Sequence, residues 1–155
     1  FTRDNFQSDE IESKFVLREP LIFILPKEHP LAKYERIPVQ ALDGIDFIIP
    51  SDEQSKMLHD AILNFAKDHG IEFNIVQKAD NILFNINSIG IGLGCTILPG
   101  YIAPLTMNNT VIRPLDVELP SLDLFVSYRK NSNSRAVQKF MDLLSKVFYL
   151  DFNQS

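Results

Sequence analysis

The chain has 155 residues, 45% of them hydrophobic and 23% charged, which bounds it to one ordinary globular domain or two small lobes. Its formal charge is −5, and its Lys and Arg residues are scattered, so no phosphate-tracking stripe is present. This chain is therefore not expected to touch DNA itself, and no apolar run is long enough to cross a bilayer.

Taken in chain order, the elements alternate between strand and helix, which predicts an α/β fold with mostly parallel sheets. Residues 15–17 and 21–25 read as two strands separated by Arg18-Glu19-Pro20, the second stopped by Pro26. Residues 45–49 form the next strand, ended by Pro50. A helix follows, because Met57, Leu58, Ala61, Ile62, Phe65 and Ala66 recur at helical spacing. Ser51 is its expected N-cap, with Gln54 completing a capping box, and Gly70 its C′ glycine. Residues 73–76 are a strand, and Asp80 is expected to cap a second helix running from about Asn81 towards Gly90. Residues 95–98 are a strand closed by Pro99-Gly100, and residues 101–105 a short helix. Strands over 111–115 and 122–128 precede a last helix that starts near Ser134 and carries Val137, Phe140, Met141, Leu144 and Phe148 on one face. The chain shows no internal repeat and no low-complexity segment.

Ligand chemistry is expected where strands run into helices, since open α/β sheets bind ligands beyond the carboxyl ends of their strands. Pro50-Ser51-Asp52-Glu53 is one such junction and Asp80-Asn81 the other. Free N–H groups and the helix dipole favour anions there, but Asp52 and Glu53 already complement the dipole and would repel a carboxylate. The plain alternative at both junctions is ordinary capping. The glycines of Gly90-Ile91-Gly92-Leu93-Gly94 invite a dinucleotide reading, but the fingerprint requires a strand before and a helix after, and here the order is reversed. They are expected to end a helix and let a strand pack closely. His29, His59 and His69 lack metal-ligand spacing, no nucleophile elbow is present, and acid pairs such as Asp9-Glu10 read as solvated, so the chain is not expected to be an enzyme or to carry a cofactor. Cys95 lies in an apolar run and is expected to be a buried structural thiol. Beginning at Phe1, with neither an initiator Met nor a signal segment, the chain reads as part of a longer protein.

One pattern runs from end to end: Phe1-Thr2-Arg3, Arg18-Glu19-Pro20-Leu21, Leu25-Pro26, His29-Pro30-Leu31-Ala32, Leu42-Asp43-Gly44, Phe47-Ile48-Ile49, Gly92-Leu93-Gly94-Cys95-Thr96-Ile97-Leu98-Pro99, Val111-Ile112-Arg113-Pro114-Leu115 and Leu124-Phe125-Val126-Ser127-Tyr128-Arg129. In order and spacing it resembles the effector-binding domain of LysR-type transcriptional regulators. Ser88 and Gly90 depart from it, standing where the family tends to have apolar or alanine residues.

The resemblance implies a periplasmic-binding-protein-like (type 2) fold, with a remnant of the first lobe over residues 1–25. A nearly complete second lobe would occupy 26–125, and 126–155 would return to the first. It implies a cytoplasmic sensor of a small-molecule metabolite, without catalytic residues or metal, that reaches DNA only through a winged helix-turn-helix preceding this chain. Thr2 and Arg3 would contact the effector from the first lobe, and Pro50, Ser51, Asp52, Glu53, Asp80 and Asn81 from the second. The helix from Ser55 to His69 resembles one that the family uses in antiparallel dimers, so a homodimer is implied, with a tetramer in the parent protein. Without the rest of the first lobe, exposed apolar surface and sheet edge would favour a non-native or swapped dimer. A secreted solute-binding protein of the same fold is the alternative, and an enzyme on this fold a third class.

Overall fold

The computed structural model describes residues 1–2, 7–106, 108–130 and 134–148. Alternating strands and helices fold there as β1 (Ile11–Pro26), β2 (Asp46–Pro50), α1 (Asp52–Asp68), β3 (Asn74–Ala79), α2 (Ile82–Gly90), β4 (Thr96–Pro99), β5 (Thr110–Ile112), β6 (Ser121–Arg129) and α3 (Arg135–Phe148). Short 3-10 turns occupy Pro30–Lys33, Val39–Leu42 and Gly100–Leu105. The chain divides into two compact units, a central one from Pro20 to Leu122 and a terminal one built from Phe1–Glu19 and the residues from Asp123 onward.

The expected pair of strands around Pro20 is a single strand, β1. Proline removes one donor from a ladder, but its fixed φ suits extended backbone, so it does not by itself end a strand. The expectation of mostly parallel pairing is also corrected. In the central unit, β1 runs antiparallel to β4, from Leu21↔Pro99 to Ile24↔Thr96, and antiparallel to β5, from Ile24↔Ile112 to Pro26↔Thr110. Between β2 and β3 the ladder is parallel, from Asp46↔Asn74 to Pro50↔Ala79. A helical crossover dictates parallel direction for the strands it joins, as α1 does for β2 and β3. By contrast, β1 reaches β2 through 3-10 turns, which impose no such direction.

Cys95 precedes β4 rather than beginning it, and makes a parallel bridge to Phe47: Ile48 N–H donates to Cys95 O at 2.8 Å and Cys95 N–H to Asp46 O at 2.9 Å. This bridge carries β2 alongside β4. Gly94 permits the approach, since a Cβ there would stand 2.8 Å from Asp46 O. The central core gathers Phe23, Leu25, Phe47, Ile48, Ile49, Ile62, Ile89, Ile97 and Leu98, all fully or almost fully buried. Each such side chain contributes roughly 1.5–3 kcal/mol relative to exposure. Phe47 stacks on Phe73 with ring centroids 4.0 Å apart.

Both helices of the central unit end in the same way. In α1, Gly70 N–H donates to Lys67 O and Ile71 N–H to Ala66 O, with Gly70 at φ +65°. In α2, Gly92 N–H donates to Ile89 O and Leu93 N–H to Ser88 O, with Gly92 at φ +84°. These are paired Schellman closures, which require the left-handed conformation that glycine adopts without steric cost. The glycine run is therefore a helix stop followed by a close packing point, the reverse of a dinucleotide cradle. Ser88, one of the departures from the family pattern, is buried in the core-facing side of α2.

The terminal unit has a smaller core of Val16, Val126 and Leu144, packed by Leu17, Leu124 and Met141. Here β6 pairs with β1. Ser13 and Ser127 share a hydroxyl hydrogen bond of 2.6 Å, Tyr128 Oη donates to Glu12 at 3.0 Å, and Arg18 pairs with Asp123 at 2.8 Å. The apolar face expected on α3 is only partly covered. On that face Leu144 is buried and Val137 and Met141 are half-buried, whereas Phe140 and Phe148 are exposed; Leu143 and Val147, outside it, are exposed as well.

Candidate functional site

The parallel register of β2 and β3 brings the two strand-to-helix junctions side by side. Pro50 lies opposite Ala79, and Ser51 N–H donates to Ala79 O at 2.9 Å. Ser51-Asp52-Glu53 and Asp80-Asn81 therefore leave adjacent strand ends of the central unit, each opening a helix. The Asn81 side chain accepts a hydrogen bond from Phe84 N–H at 2.8 Å, so Asn81 is the N-cap of α2, one residue after the expected Asp80. Either Asx residue is chemically able to cap; strand register decides which one stands where the helix begins.

At the other junction the expected capping box does not form. Ser51 takes the extended backbone of an N-cap, yet its hydroxyl makes no capping bond. It is 4% exposed, and its Oγ is buried without a hydrogen-bond partner. Ser55 interrupts α1 after the first turn with φ −154° and ψ 81°, although its N–H still donates to Ser51 O at 3.1 Å. The first turn, Asp52-Glu53-Gln54, is thus set off from the rest of the helix. Asp52 and Glu53 are solvent-exposed, and Lys78 on β3 approaches Asp52 at 3.9 Å. Such exposed pairs contribute about 0–1 kcal/mol, so Lys78 is an electrostatic neighbour rather than a brace.

Sequence reasoning gave three residues of this region no role at the junctions. Lys78 owes its position to the β2–β3 register, which no local pattern reveals. His59 reaches back along α1 to hold Pro50 O at 2.8 Å through Nδ1, bracing the end of β2. Asn85 closes the first turn of α2, donating N–H to Asn81 O at 3.1 Å, while its own Oδ1 is buried without a partner. Its signal was legible: Asn85 falls at helical spacing among Ile82, Ile86 and Ile89, a polar residue on an apolar face.

Of the remaining candidates, Thr2 belongs to the terminal unit. It exchanges backbone hydrogen bonds with Phe125 at 2.8 Å each, and its hydroxyl lies 3.2 Å from Ser127 Oγ. Arg3 lies outside the described residues. Grooves of about 420 Å³ beside α3 and about 320 Å³ between β1 and Arg113 include no residue of either junction in their linings. His69 holds Phe65 O at 2.9 Å, and burial pushes the Cys95 thiol up to about 12. Among the described residues, no His, Cys, Asp and Glu cluster could hold a metal ion, and no helix is long and apolar enough to cross a membrane.

Against known proteins, the LysR substrate binding domain model matches residues 1–148. The Hca operon transcriptional activator HcaR of Escherichia coli K12 is 32% identical over 139 residues, covering 90% of this chain and 47% of HcaR. The chain spans about half the length of the curated relatives it matches. Among solved structures, the CcmR regulatory domain of Synechocystis PCC6803, in complex with 2-PG, superposes with a TM-score of 0.78 at 20% identity, covering 97% of this chain and 73% of that one. The BenM effector binding domain with benzoate gives 0.77 at 14% identity, covering 95% and 67%. These likenesses establish the periplasmic-binding-protein-like fold of LysR effector domains. By family match and by fold, the chain belongs to the LysR substrate-binding domain family.

Proposed function

We propose that this chain is the metabolite-sensing part of a cytoplasmic LysR-type transcriptional regulator, acting as a homo-oligomer. A winged helix-turn-helix elsewhere in the parent protein would contact DNA. The match of the family model over residues 1–148 carries the reading, and its relatives are transcriptional regulators rather than transport receptors. Residues 1–25 and 126–155 are assigned to the first lobe and 26–125 to the second. The division of compact units near Glu19 and Leu122 supports this assignment. The effector site is assigned to Pro50, Ser51, Asp52, Glu53, Asp80 and Asn81 on the second lobe, with Thr2 and Arg3 on the first. Adjacency of the two junctions through the Pro50↔Ala79 register supports the second-lobe half of that assignment.

The mechanism is a shift between two arrangements of the parent protein, with no covalent chemistry. An effector moves that equilibrium only by as much as it binds the two states differently; a tenfold change in DNA occupancy requires about 1.4 kcal/mol of differential affinity. Reading the coding frame upstream of Phe1 tests the proposal. A helix-turn-helix followed by a long amphipathic helix is expected, whereas a signal peptide would overturn the reading in favour of an exported solute receptor.

A further inference from the structure

The adjacent junctions hold two buried side-chain oxygens that the fold leaves unpaired, Ser51 Oγ and Asn85 Oδ1, on residues only 4% and 1% exposed. Buried polar atoms are almost always satisfied, because an unpaired one forfeits its hydration without return. Here they stand at the end of β2 and in the first turn of α2, the helix that packs on β2. Asn85 Oδ1 is an acceptor only, so whatever satisfies it must bring a hydrogen; Ser51 Oγ both donates and accepts. A carboxylate has no hydrogen to bring.

Charge at the junctions points the same way. Asp52, Glu53 and Asp80 are exposed around them, with Lys78 as the neighbouring base. Two helix N-termini add roughly half a positive charge each, which with Lys78 still leaves the rim net negative. The Asn81 side chain already occupies one of the N–H groups that would otherwise attract an anion.

We infer that the effector group received here is a non-anionic hydrogen-bond donor, a hydroxyl, amide or amine, satisfied by Asn85 Oδ1 and Ser51 Oγ, and that Asp52, Glu53 and Asp80 turn carboxylates away. The inference rests on the proposed effector site and adds the chemical class of its ligand and a specificity-determining residue, Asn85.

The test is an amide NMR titration of the whole chain with four one-ring probes that differ in one substituent: benzyl alcohol, benzamide, benzylamine and benzoate. Donor-bearing probes are expected to shift the amides of residues 51–54 and 81–85, with benzoate about tenfold weaker. Asp52→Asn with Glu53→Gln is expected to narrow that gap, and Asn85→Leu to abolish the donor shifts. Benzoate acting as strongly as its uncharged matches would overturn the inference, as would the absence of any donor shift at these amides. Melting supplies an independent readout. Ser51→Ala and Asn85→Leu remove the two oxygens left unpaired among the described residues, so Tm is expected to stay level or rise; a fall in both would make the two side chains structural and overturn the inference. An upstream helix-turn-helix combined with benzoate preference at these amides would sink the ligand class and leave the regulator reading standing.

Discussion

Cys95 and His29 show how far one residue's chemistry can be read from its neighbours. The Cys95 thiol is fully buried and pushed up to about 12, chiefly by desolvation and secondarily by Asp46. Almost none of it is thiolate at neutral pH, and the thiolate is the reactive form. Ellman's reagent is expected to find no thiol in the native chain and one per chain in guanidinium; rapid native reaction would contradict the burial. His29 Nδ1 accepts a hydrogen bond from Leu31 N–H at 3.1 Å, capping the turn Pro30–Lys33. Desolvation lowers its pKa, with Asp46 opposing the shift. The unfolded chain therefore binds this proton more readily. Its contribution is fully present above the ordinary histidine value of about 6.5 and is lost as pH falls through the lower folded value. Tm measured from pH 8 to 5 is expected to fall less steeply in His29→Asn, which keeps an acceptor but does not titrate; identical profiles would remove His29 from the acid response. The burial of Cys95 was legible in its apolar run, whereas the His29 cap was not, because proline-flanked turns do not announce which side chain turns inward.

At the scale of elements, caps and glycines decide where helices begin and end. Asn81→Ala removes the side-chain acceptor of Phe84 N–H and is expected to cost about 1 kcal/mol in urea unfolding, whereas Asp80→Ala should cost much less. Equal losses would return the cap to Asp80. Gly94→Ala would force a Cβ to within 2.8 Å of Asp46 O, a backbone atom that the Cys95 bridge holds in place. Overpacking of this kind costs about 1–3 kcal/mol, and a neutral result in the same unfolding assay would mean that β2 and β4 can separate freely. Helix positions were largely legible, because Leu58, Ile62, Phe65 and Ala66 repeat at helical spacing and Gly70 closes the last turn. The continuity of β1 was not. Pro20 is a local breaker by reputation, and only pairing with other strands shows that its missing donor goes unneeded.

For the whole molecule, the question is what covers its remaining apolar surface. Phe140, Leu143 and Val147 on α3 are exposed, as are Ile75 and Val76 on β3, whose pairing among the described residues is to β2 alone. Exposed apolar faces and open edges promote association. Light scattering at high concentration is expected to find dimers or larger species, reduced by Leu143→Glu with Val147→Glu; a strictly monomeric chain would count against self-association.

By itself, the sequence determined the fold class, the identity of most elements and the family, because apolar period, proline and glycine positions and motif order are local properties carried along one dimension. It also marked Pro50-Ser51-Asp52-Glu53 and Asp80-Asn81 as strand-to-helix junctions. Only the tertiary structure decided that β1 pairs antiparallel with β4 and β5, that Pro50 meets Ala79, and that Lys78 stands beside Asp52. It alone decided that the Ser51 and Asn85 oxygens are left unpaired. Pairing direction, register and hydrogen-bond satisfaction depend on which distant segments share one space, and no local pattern of residues contains that information.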